Sequence, residues 1–407
     1  MAVVNGTSGN DSLLGTNNDD VISGFGGADT LNGRAGNDSL IGGDGNDRLI
    51  GGDGGDTMTG GTGDDLYFVD NGSDVVVEAE NEGIDLVRST VSYQLSAWVN
   101  DLTLAGSNAL SGYGNDIENR ITGNSMDNYL WGGTGPDTLI GRGGDDTLDG
   151  YSHSFGGTDP DIDVLDGGAG NDFFIVDNAG DVLIDSGGLD HVFAYNIDWT
   201  LAAGFENLSL NNGQTEATVH GVGNSADNVI DAEQGWHVVL NGAGGNDSLF
   251  GSPQDDTLAG GNGDDFLNGG WDFDRLNGGA GDDTLLGGGD FHTDTMTGGA
   301  GRDQFRFWAP DAGPERITDF LMDIDQLAFD DSSFTAIGAT GDFVFQDPRF
   351  YAAAGATTAH DASDRVIYNT STGQLYYDAD GAGGADASFI ATLSGAPQLK
   401  ASDITVI

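Results

Sequence analysis

The sequence reads GGDGNDRLI at 42–50, GGDGGDTMT at 51–59 and GGTGDDLYF at 60–68. Each nonamer has Gly at positions one, two and four, Asp at position six and a large apolar residue at position eight. Glycine permits positive φ and lets carbonyl oxygens turn inward, while the Asp adds a charged oxygen and the last triplet forms a short strand. Because one nonamer buries only one apolar side chain, we predict that successive nonamers stack into a common core.

The nine-residue period extends well beyond these three units. It divides 6–68 without a gap, returns less regularly in a middle block, and returns again over 242–306. The predicted metal-ligating residues at position six are Asp11, Asp20, Asp29, Asp38, Asp47, Asp56 and Asp65 in the first block, Asp137, Asp146, Asp163 and Asp172 in the second, and Asp247, Asp256, Asp265, Asp274, Asp283, Asp294 and Asp303 in the third.

Two nonamers are predicted to make one turn of a solenoid, so that strands eighteen residues apart stack into two parallel sheets around the apolar residues. The Asp-bearing loops then stack as well, with carboxylates about 5 Å apart in each column, the spacing of neighbouring strands. Like charges at that spacing oppose ionisation and folding. We therefore expect cations to lie between the loops.

Composition supports a calcium site and excludes several other classes of protein. The 407 residues include 71 Gly, no Cys and 67 acidic residues, of which only 8 are Glu, against 12 basic residues, for a net charge of -55. The short Asp carboxylate suits a turn that binds a hard cation. No basic patch is available for nucleic acid or an anionic membrane, and no apolar stretch is long enough for a membrane span. The N-terminal residues carry no Sec-type signal.

These repeats resemble the RTX family of calcium-binding proteins, which bacteria export by type I secretion and whose repeats form a parallel β-roll. The resemblance implies that each Asp and neighbouring glycine carbonyls bind calcium, that on the order of ten ions are held, and that the roll folds outside the cell. We expect gaps at Asn119 and Asn128, which lack the charge, and at Asp272, which replaces the glycine at position four. The glycines selected as calcium ligands are Gly42, Gly51, Gly60, Gly260 and Gly278.

The changes in periodicity predict six segments. They are a first roll at 1–68, a spacer at 69–113, a second, irregular roll at 114–175, a second spacer with irregular turns at 176–241, a third roll at 242–306 and a cap at 307–407. The two spacers are copies of each other, since Val69-Asp70-Asn71 matches Val176-Asp177-Asn178. Their alternating apolar residues predict longer strands that continue the solenoid as wider turns.

The last hundred residues lose the nine-residue period. Alternation over 316–334 and 365–393 predicts ordinary antiparallel strands that form a β-sandwich-like cap. This region is similar to the C-terminal module of the serralysin proteases. In that family the extreme C-terminus carries the export signal, and residues 403–407 fit either that signal or a final edge strand.

A catalytic site is not indicated, because the sequence contains neither HExxH nor G-x-S-x-G. Irregular loops interrupt the rolls, and their aromatic, His and Asp residues are the candidate ligand-binding positions Trp236, His237, Trp271, Asp272, Asp290 and His292. The leading hypothesis is an extracellular calcium-binding protein with a structural, adhesive or matrix-interacting role, including self-assembly. The alternative is an enzyme or lectin that acts on extracellular polysaccharide.

Overall fold

The computed structural model describes residues 1–150, 160–213, 217–234, 237–382, 384 and 386–407. The protein is all-β, and most of its strands form a parallel β-solenoid. A three-residue 3-10 helix, Ala401–Asp403, is the one helix in these ranges, and none of the described helical structure is long and apolar enough to cross a bilayer. The chain divides into two compact units, Met1–Phe193 and Ala194–Ile407.

The first unit contains short strands, most of which coincide with the last part of a nonamer and the glycines that follow it. They are β1 (Val3–Asn5), β2 (Ser12–Leu14), β3 (Val21–Gly26), β4 (Thr30–Ala35), β5 (Ser39–Asp44), β6 (Arg48–Asp53), β7 (Thr57–Thr62), β8 (Leu66–Val69), β9 (Val75–Val77), β10 (Leu86–Ser89), β11 (Tyr93–Gln94), β12 (Asp101–Leu104), β13 (Ser111–Tyr113), β14 (Arg120–Thr122), β15 (Tyr129–Trp131), β16 (Thr138–Gly143), β17 (Thr147–Asp149), β18 (Val164–Ala169), β19 (Phe173–Val176) and β20 (Val182–Ile184), while β21 (His191–Tyr195) lies across the division in the chain.

The second unit continues the same kind of element and ends in longer-range pairings. Its strands are β22 (Trp199–Thr200), β23 (Asn207–Asn211), β24 (Val219–Val222), β25 (Val229–Gln234), β26 (Val238–Gly244), β27 (Ser248–Phe250), β28 (Thr257–Asn262), β29 (Phe266–Gly270), β30 (Arg275–Ala280), β31 (Thr284–Gly288), β32 (Thr295–Ala300), β33 (Gln304–Phe307), β34 (Glu315–Ile317), β35 (Gln326–Phe329), β36 (Gly341–Asp342), β37 (Phe350–Ala353), β38 (Val366–Asn369), β39 (Gln374–Tyr377), β40 (Ser388–Leu393) and β41 (Ile404–Val406).

Alternate strands along the chain belong to opposite sheets, as the two-nonamer turn predicts. In the first unit β2, β4, β6 and β8 are successive neighbours in one sheet, and β1, β3, β5, β7 and β9 are successive neighbours in another. All these pairs are parallel, and Leu31 on β4 lies opposite Leu49 on β6. The register of the repeats, and with it the predicted fold class, is confirmed.

The apolar residues at position eight form the core between the sheets. Leu31, Leu40 and Leu49 are 0% exposed, and the same holds for Leu258 and Leu267 in the second unit. Full burial of one such side chain contributes roughly 1.5–3 kcal/mol. Each turn therefore adds two buried side chains to a core that extends along the solenoid.

In many nonamers the turn between strands has positive φ at positions two and four; both are often glycine, but Phe25 and Arg34 occupy position two with φ values of +80° and +79°. In the unit that begins at Gly42, Gly43 and Gly45 adopt φ values of +117° and +122°. These angles lie in the left-handed region, which a residue with a Cβ atom adopts only at a cost. The alternation of sheet after every nonamer depends on this bend.

The spacers continue the parallel ladder, as predicted, but the prediction of longer strands was wrong: β10 has four residues and β11 has two, against six in β5 of the roll. Val87 in the first spacer pairs with Tyr67 of the preceding roll and with Leu102 further along. In the second spacer Leu183 pairs with Leu165, within the first unit. The turns differ in length from those of the rolls, because the hydrogen bonds between neighbouring loops join residues 20 and 15 apart instead of 18.

The prediction for 316–334 was wrong in strand direction. Strand β34 pairs in parallel with β32, and β35 pairs in parallel with β33, so the two sheets continue beyond the last nonamer. Antiparallel pairing begins only with β38, β39 and β40, which confirms the expectation for 365–393. Alternation of apolar residues sets which face is buried but not the direction of the neighbouring strand.

The C-terminal residues form a buried strand that is paired on both sides. Strand β41 is parallel to β35 and antiparallel to the short β36, so it is not an edge strand. Ile404 and Val406 are almost fully buried. These residues are thus part of the folded core of the second unit.

Candidate metal centres

The Asp residues at position six form hydrogen-bonded columns inside the loops. The backbone N–H of Asp29 donates to Oδ1 of Asp47 at 2.7 Å, and that of Asp47 donates to Oδ1 of Asp65 at 2.6 Å. In the second unit the N–H of Asp265 donates to Oδ1 of Asp283 at 2.9 Å. These side chains are only 1–2% exposed. One carboxylate oxygen of each Asp therefore joins successive turns of the solenoid.

The expectation that a nonamer buries only its apolar side chain was incomplete, because the Asp at position six is buried as well. Asp47 is 2% exposed, compared with 0% for the core residue Leu49 two positions later. The Asp points into the stack of loops, while the apolar residue points between the sheets. Each nonamer thus buries a charged group as well as an apolar one.

The other oxygen of many of these carboxylates is buried without a hydrogen bond. An isolated buried charge is strongly unfavourable unless it is paired or bound to a metal. Within the described part of the chain, Oδ2 has no hydrogen-bond partner in Asp29, Asp38, Asp47, Asp56, Asp65, Asp146, Asp172, Asp247, Asp265, Asp274 and Asp283.

The first glycine of each nonamer leaves the space into which these oxygens point. A Cβ atom placed on Gly42 would lie 2.2 Å from Oδ2 of Asp47 and 2.7 Å from the carbonyl oxygen of Gly60, one turn further on. On Gly260 it would lie 2.2 Å from Oδ2 of Asp265 and 2.6 Å from the carbonyl oxygen of Gly278. A carboxylate and a carbonyl from successive turns therefore converge, and oxygen donors of this kind fit calcium.

Burial changes the acidity of these carboxylates. Desolvation raises the pKa of Asp47 and Asp56 to about 6, of Asp65 and Asp283 to about 7, and of Asp274 to about 9. Repulsion from the Asp residues of adjacent turns adds to the effect of desolvation. The columns thus resist carrying their full charge unless a cation compensates it.

Some predicted positions differ from this arrangement. Oδ2 of Asp20 accepts hydrogen bonds from the N–H and the hydroxyl of Thr16, and Oδ2 of Asp256 accepts one from the N–H of Ser252. Asn119 and Asn128 use the side-chain amide to donate to carbonyl oxygens of the preceding turn. At these two positions, where the sequence lacks the charge, the side-chain amide makes hydrogen bonds of its own to the neighbouring turn.

Part of the predicted ligand-binding cluster comes together on the second unit. Nδ1 of His292 lies 2.9 Å from Oδ2 of Asp290 and 3.7 Å from Oδ1 of Asp272. The hydrogen bond to Asp290 raises the pKa of His292. The His292 ring packs 4.6 Å from the ring of Phe273, and Trp271 is 67% exposed beside them.

The other candidate loop is only partly described. Nδ1 of His237 lies 2.8 Å from the carbonyl oxygen of Asp255, whose side chain accepts the N–H of Phe273 at 3.2 Å. His237 is therefore next to the loop of Phe273. Trp236, like the irregular loop 151–159, lies outside the described residues.

The sequence analysis missed the carboxylates that extend the columns beyond the nonamers. The N–H of Asp65 donates to Oδ1 of Asp85 at 2.9 Å, and that of Asp172 donates to Oδ1 of Asp190 at 2.8 Å. Glu315 accepts the N–H of Asp294 at 3.1 Å. Asp85 and Asp190 lie just before the spacer strands β10 and β21, and Glu315 is the first residue of β34.

Comparison with known proteins identifies the repeats. The profile of the RTX calcium-binding nonapeptide repeat matches residues 5–40, 41–76, 122–152, 158–183, 241–276 and 268–305. A solution structure of a subunit of the mannuronan C5-epimerase from Azotobacter vinelandii is 28% identical, covering 37% of this chain and 77% of that one, with a TM-score of 0.25. No curated protein matches the chain by sequence.

Proposed function

From the RTX calcium-binding nonapeptide repeats that this chain carries, we propose a secreted protein that calcium folds outside the cell and that acts in a structural, adhesive or matrix-interacting role. The observation that carries the proposal is the column of buried Asp carboxylates, each with one oxygen in a hydrogen bond and many with the other oxygen unpartnered. Such a column is stable only when its charge is neutralised.

Calcium would be held between successive loops. The ligands are Oδ2 of the Asp at position six and carbonyl oxygens of the glycines, including those of Gly42, Gly51, Gly60, Gly260 and Gly278. When bound, calcium supplies the positive charge that the columns lack, with on the order of ten ions in all. Asn119 and Asn128 hold no ion in this proposal, because their amides already bond to carbonyl oxygens.

The requirement for calcium favours folding after export. Calcium is scarce inside cells, so a chain with a net charge of -55 stays unfolded there and can pass through a type I secretion channel. The C-terminal strand β41 is the proposed export region, which is exposed before folding and becomes buried afterwards. Outside the cell, calcium then folds the chain.

A structural role follows from how much of the chain belongs to the ladder. The repeats and spacers form a stiff scaffold in which each turn contacts its neighbours. The proposal includes self-assembly at the cell surface or contact with extracellular polysaccharide as forms of this role. Neither needs a catalytic residue.

The test measures bound calcium and particle size together. Full-length protein is prepared in chelator, dialysed against millimolar calcium, and examined by elemental analysis and light scattering. We expect on the order of ten ions per chain and one fewer, or a weakened site, for Asp47→Asn. Asp53→Asn is the matched control, because it removes the same charge from an exposed side chain in the same roll. Equal, negligible calcium binding by all three proteins would overturn the proposal.

A second candidate function rests on the cluster of Trp271, Asp272, Phe273, Asp290 and His292. An exposed aromatic ring beside carboxylates is suited to stack on a sugar. If the protein is a lectin or a polysaccharide-acting enzyme, Trp271→Ala abolishes glycan binding or turnover without changing calcium binding. Trp98→Ala, which removes a 40% exposed Trp from the first unit, is the control.

A further inference from the structure

We propose that the first two rolls each end in a calcium site built from three carboxylates, two of which come from the spacer. The first site is formed by Asp65, Glu78 and Asp85, and the second by Asp172, Asp185 and Asp190. In each group, one ligand oxygen per residue lies within 4.8 Å of the others. The inference rests on the proposed function, because it adds sites to a calcium-folded solenoid.

In the first site, the side-chain carboxylate of Glu78 lies where a site inside the roll has a glycine carbonyl oxygen. Within the roll, the space beside Gly42 is shared by Oδ2 of Asp47 and the carbonyl oxygen of Gly60. Beside Gly60, the nearest oxygens to the position of a Cβ atom are Oδ2 of Asp65 at 2.1 Å, the hydroxyl oxygen of Tyr67 at 2.1 Å and Oε1 of Glu78 at 2.5 Å. Glu78 thus takes the place that the next repeat would have filled.

Two oxygens in this site are buried and unpartnered. Asp65 is 2% exposed and Glu78 is 8% exposed. Oδ2 of Asp65 and Oε2 of Glu78 have no hydrogen-bond partner among the described residues, whereas Oε1 of Glu78 accepts the hydroxyl of Tyr67. Asp85 is held in position because its Oδ1 accepts the N–H of Asp65 at 2.9 Å. The carboxylates of Asp65, Glu78 and Asp85 are thus held close together, as the ligands of one cation would be.

The second site repeats the first in the other copy of the duplication. The N–H of Asp172 donates to Oδ1 of Asp190 at 2.8 Å, as that of Asp65 does to Asp85. Asp172 is 1% exposed, and its Oδ2 has no hydrogen-bond partner in the described ranges. Asp185 follows Gly167 at the same interval at which Glu78 follows Gly60. Two spacers that differ in sequence thus each bring three carboxylates within 4.8 Å of one another.

The ligand chemistry indicates calcium and a higher affinity than in the rolls. All the donors are oxygen atoms, which hard divalent cations prefer, and the affinity of calcium sites rises with the number of charged ligands. A site inside a roll has a glycine carbonyl where these sites have a third carboxylate. The two terminal sites therefore fill before the others and fix the junction between each roll and its spacer.

The test is a calorimetric calcium titration of full-length, calcium-free protein. We expect the wild type to bind two calcium ions in its tightest class of sites. Glu78→Gln and Asp185→Asn should each keep one ion of that class, and the double variant should keep no site of that class. The affinity of the altered site is expected to fall about tenfold or more. Glu80→Gln is the matched control, because Glu80 is an exposed carboxylate in the same spacer.

Far-UV circular dichroism at saturating calcium shows whether each variant still folds, which separates failure of the terminal sites from failure of the proposed function. If calcium folds the wild type and both single variants while the number and affinity of the tightest sites are unchanged, the terminal sites are refuted and the proposed function stands. If calcium gives no heat and no folding in the wild type, both fail. Loss of a tight site in Asp185→Asn, whose substituted side chain is partly exposed, supports the inference even if Glu78→Gln folds poorly.

Discussion

At the scale of the residue, the Asp at position six has two separate roles. Oδ1 of Asp47 accepts the backbone N–H of Asp29 and so joins two successive turns. Oδ2 faces the space beside Gly42 and has no partner within the described residues. The glycine at position one is therefore required for space, in contrast to positions two and four, where the backbone takes a positive φ that glycine adopts most easily.

Gly42→Ala tests the need for that space. The added Cβ would lie 2.2 Å from Oδ2 of Asp47 and 2.7 Å from the carbonyl oxygen of Gly60. We expect the free energy of unfolding in calcium to fall by about 1–3 kcal/mol, the usual cost of overpacking, and one calcium site to weaken. Gly72→Ala is the control, because a Cβ there meets nothing within 4 Å. Equal stability of the two variants in denaturant titrations would contradict this account.

At the scale of the element, the sequence predicted the roll strands and the Asp columns well. Periodicity identifies Leu31 and Leu49 as core partners, because a repeat of nine residues leaves only one phase for the apolar position. The spacer carboxylates Glu78 and Asp85 were missed because the turn between Asp65 and Asp85 is 20 residues long. Because the spacers have no regular period, their sequence does not indicate which residues correspond to the Asp at position six.

Strand direction in the C-terminal segment could not be predicted for a related reason. The alternation over 316–334 indicates strands with one buried face, which is compatible with either direction. The structure shows that β34 and β35 extend the two parallel sheets, since each is stacked on a roll strand. That the Asp residues of the rolls and the glycines beside them hold calcium stays a prediction.

Deletion of residues 404–407 tests the role of β41 as the strand that covers β35. Removing β41 leaves one side of β35 unpaired. We expect hydrogen exchange in β35 to become faster, while β3, β5 and β7 keep the protection of the full-length protein, because coupling in a solenoid is mainly between neighbouring turns. Unchanged exchange in β35 would show that β41 contributes little to the stability of this end.

At the scale of the whole molecule, the net charge of -55 makes folding depend on what neutralises the columns. Protonation of the Asp carboxylates is one way to neutralise this charge. Burial raises the pKa of Asp47 from 3.8 to about 6, and that of Asp146 and Asp247 to about 7. The folded chain without calcium therefore binds more protons than the unfolded chain between these values, and its stability falls as pH rises through them.

A pH titration in chelator measures this proton linkage. We expect the β signal in far-UV circular dichroism to increase as the pH is lowered from neutral towards about 4, where the folded carboxylates are protonated. In saturating calcium we expect the β signal to decrease as the pH is lowered over the same range, because protons compete with calcium for the carboxylates. A calcium-free chain that gains stability as the pH rises would contradict the assigned burial of the columns.

The most direct test of the central claim is a calcium titration of the full-length chain from excess chelator, followed by far-UV circular dichroism, with magnesium as the control cation. The account predicts a cooperative gain of β signal at near-millimolar calcium and little change with magnesium, which demands a tighter octahedral site. A chain that is fully folded in chelator at neutral pH, with no spectral response to calcium, would contradict it.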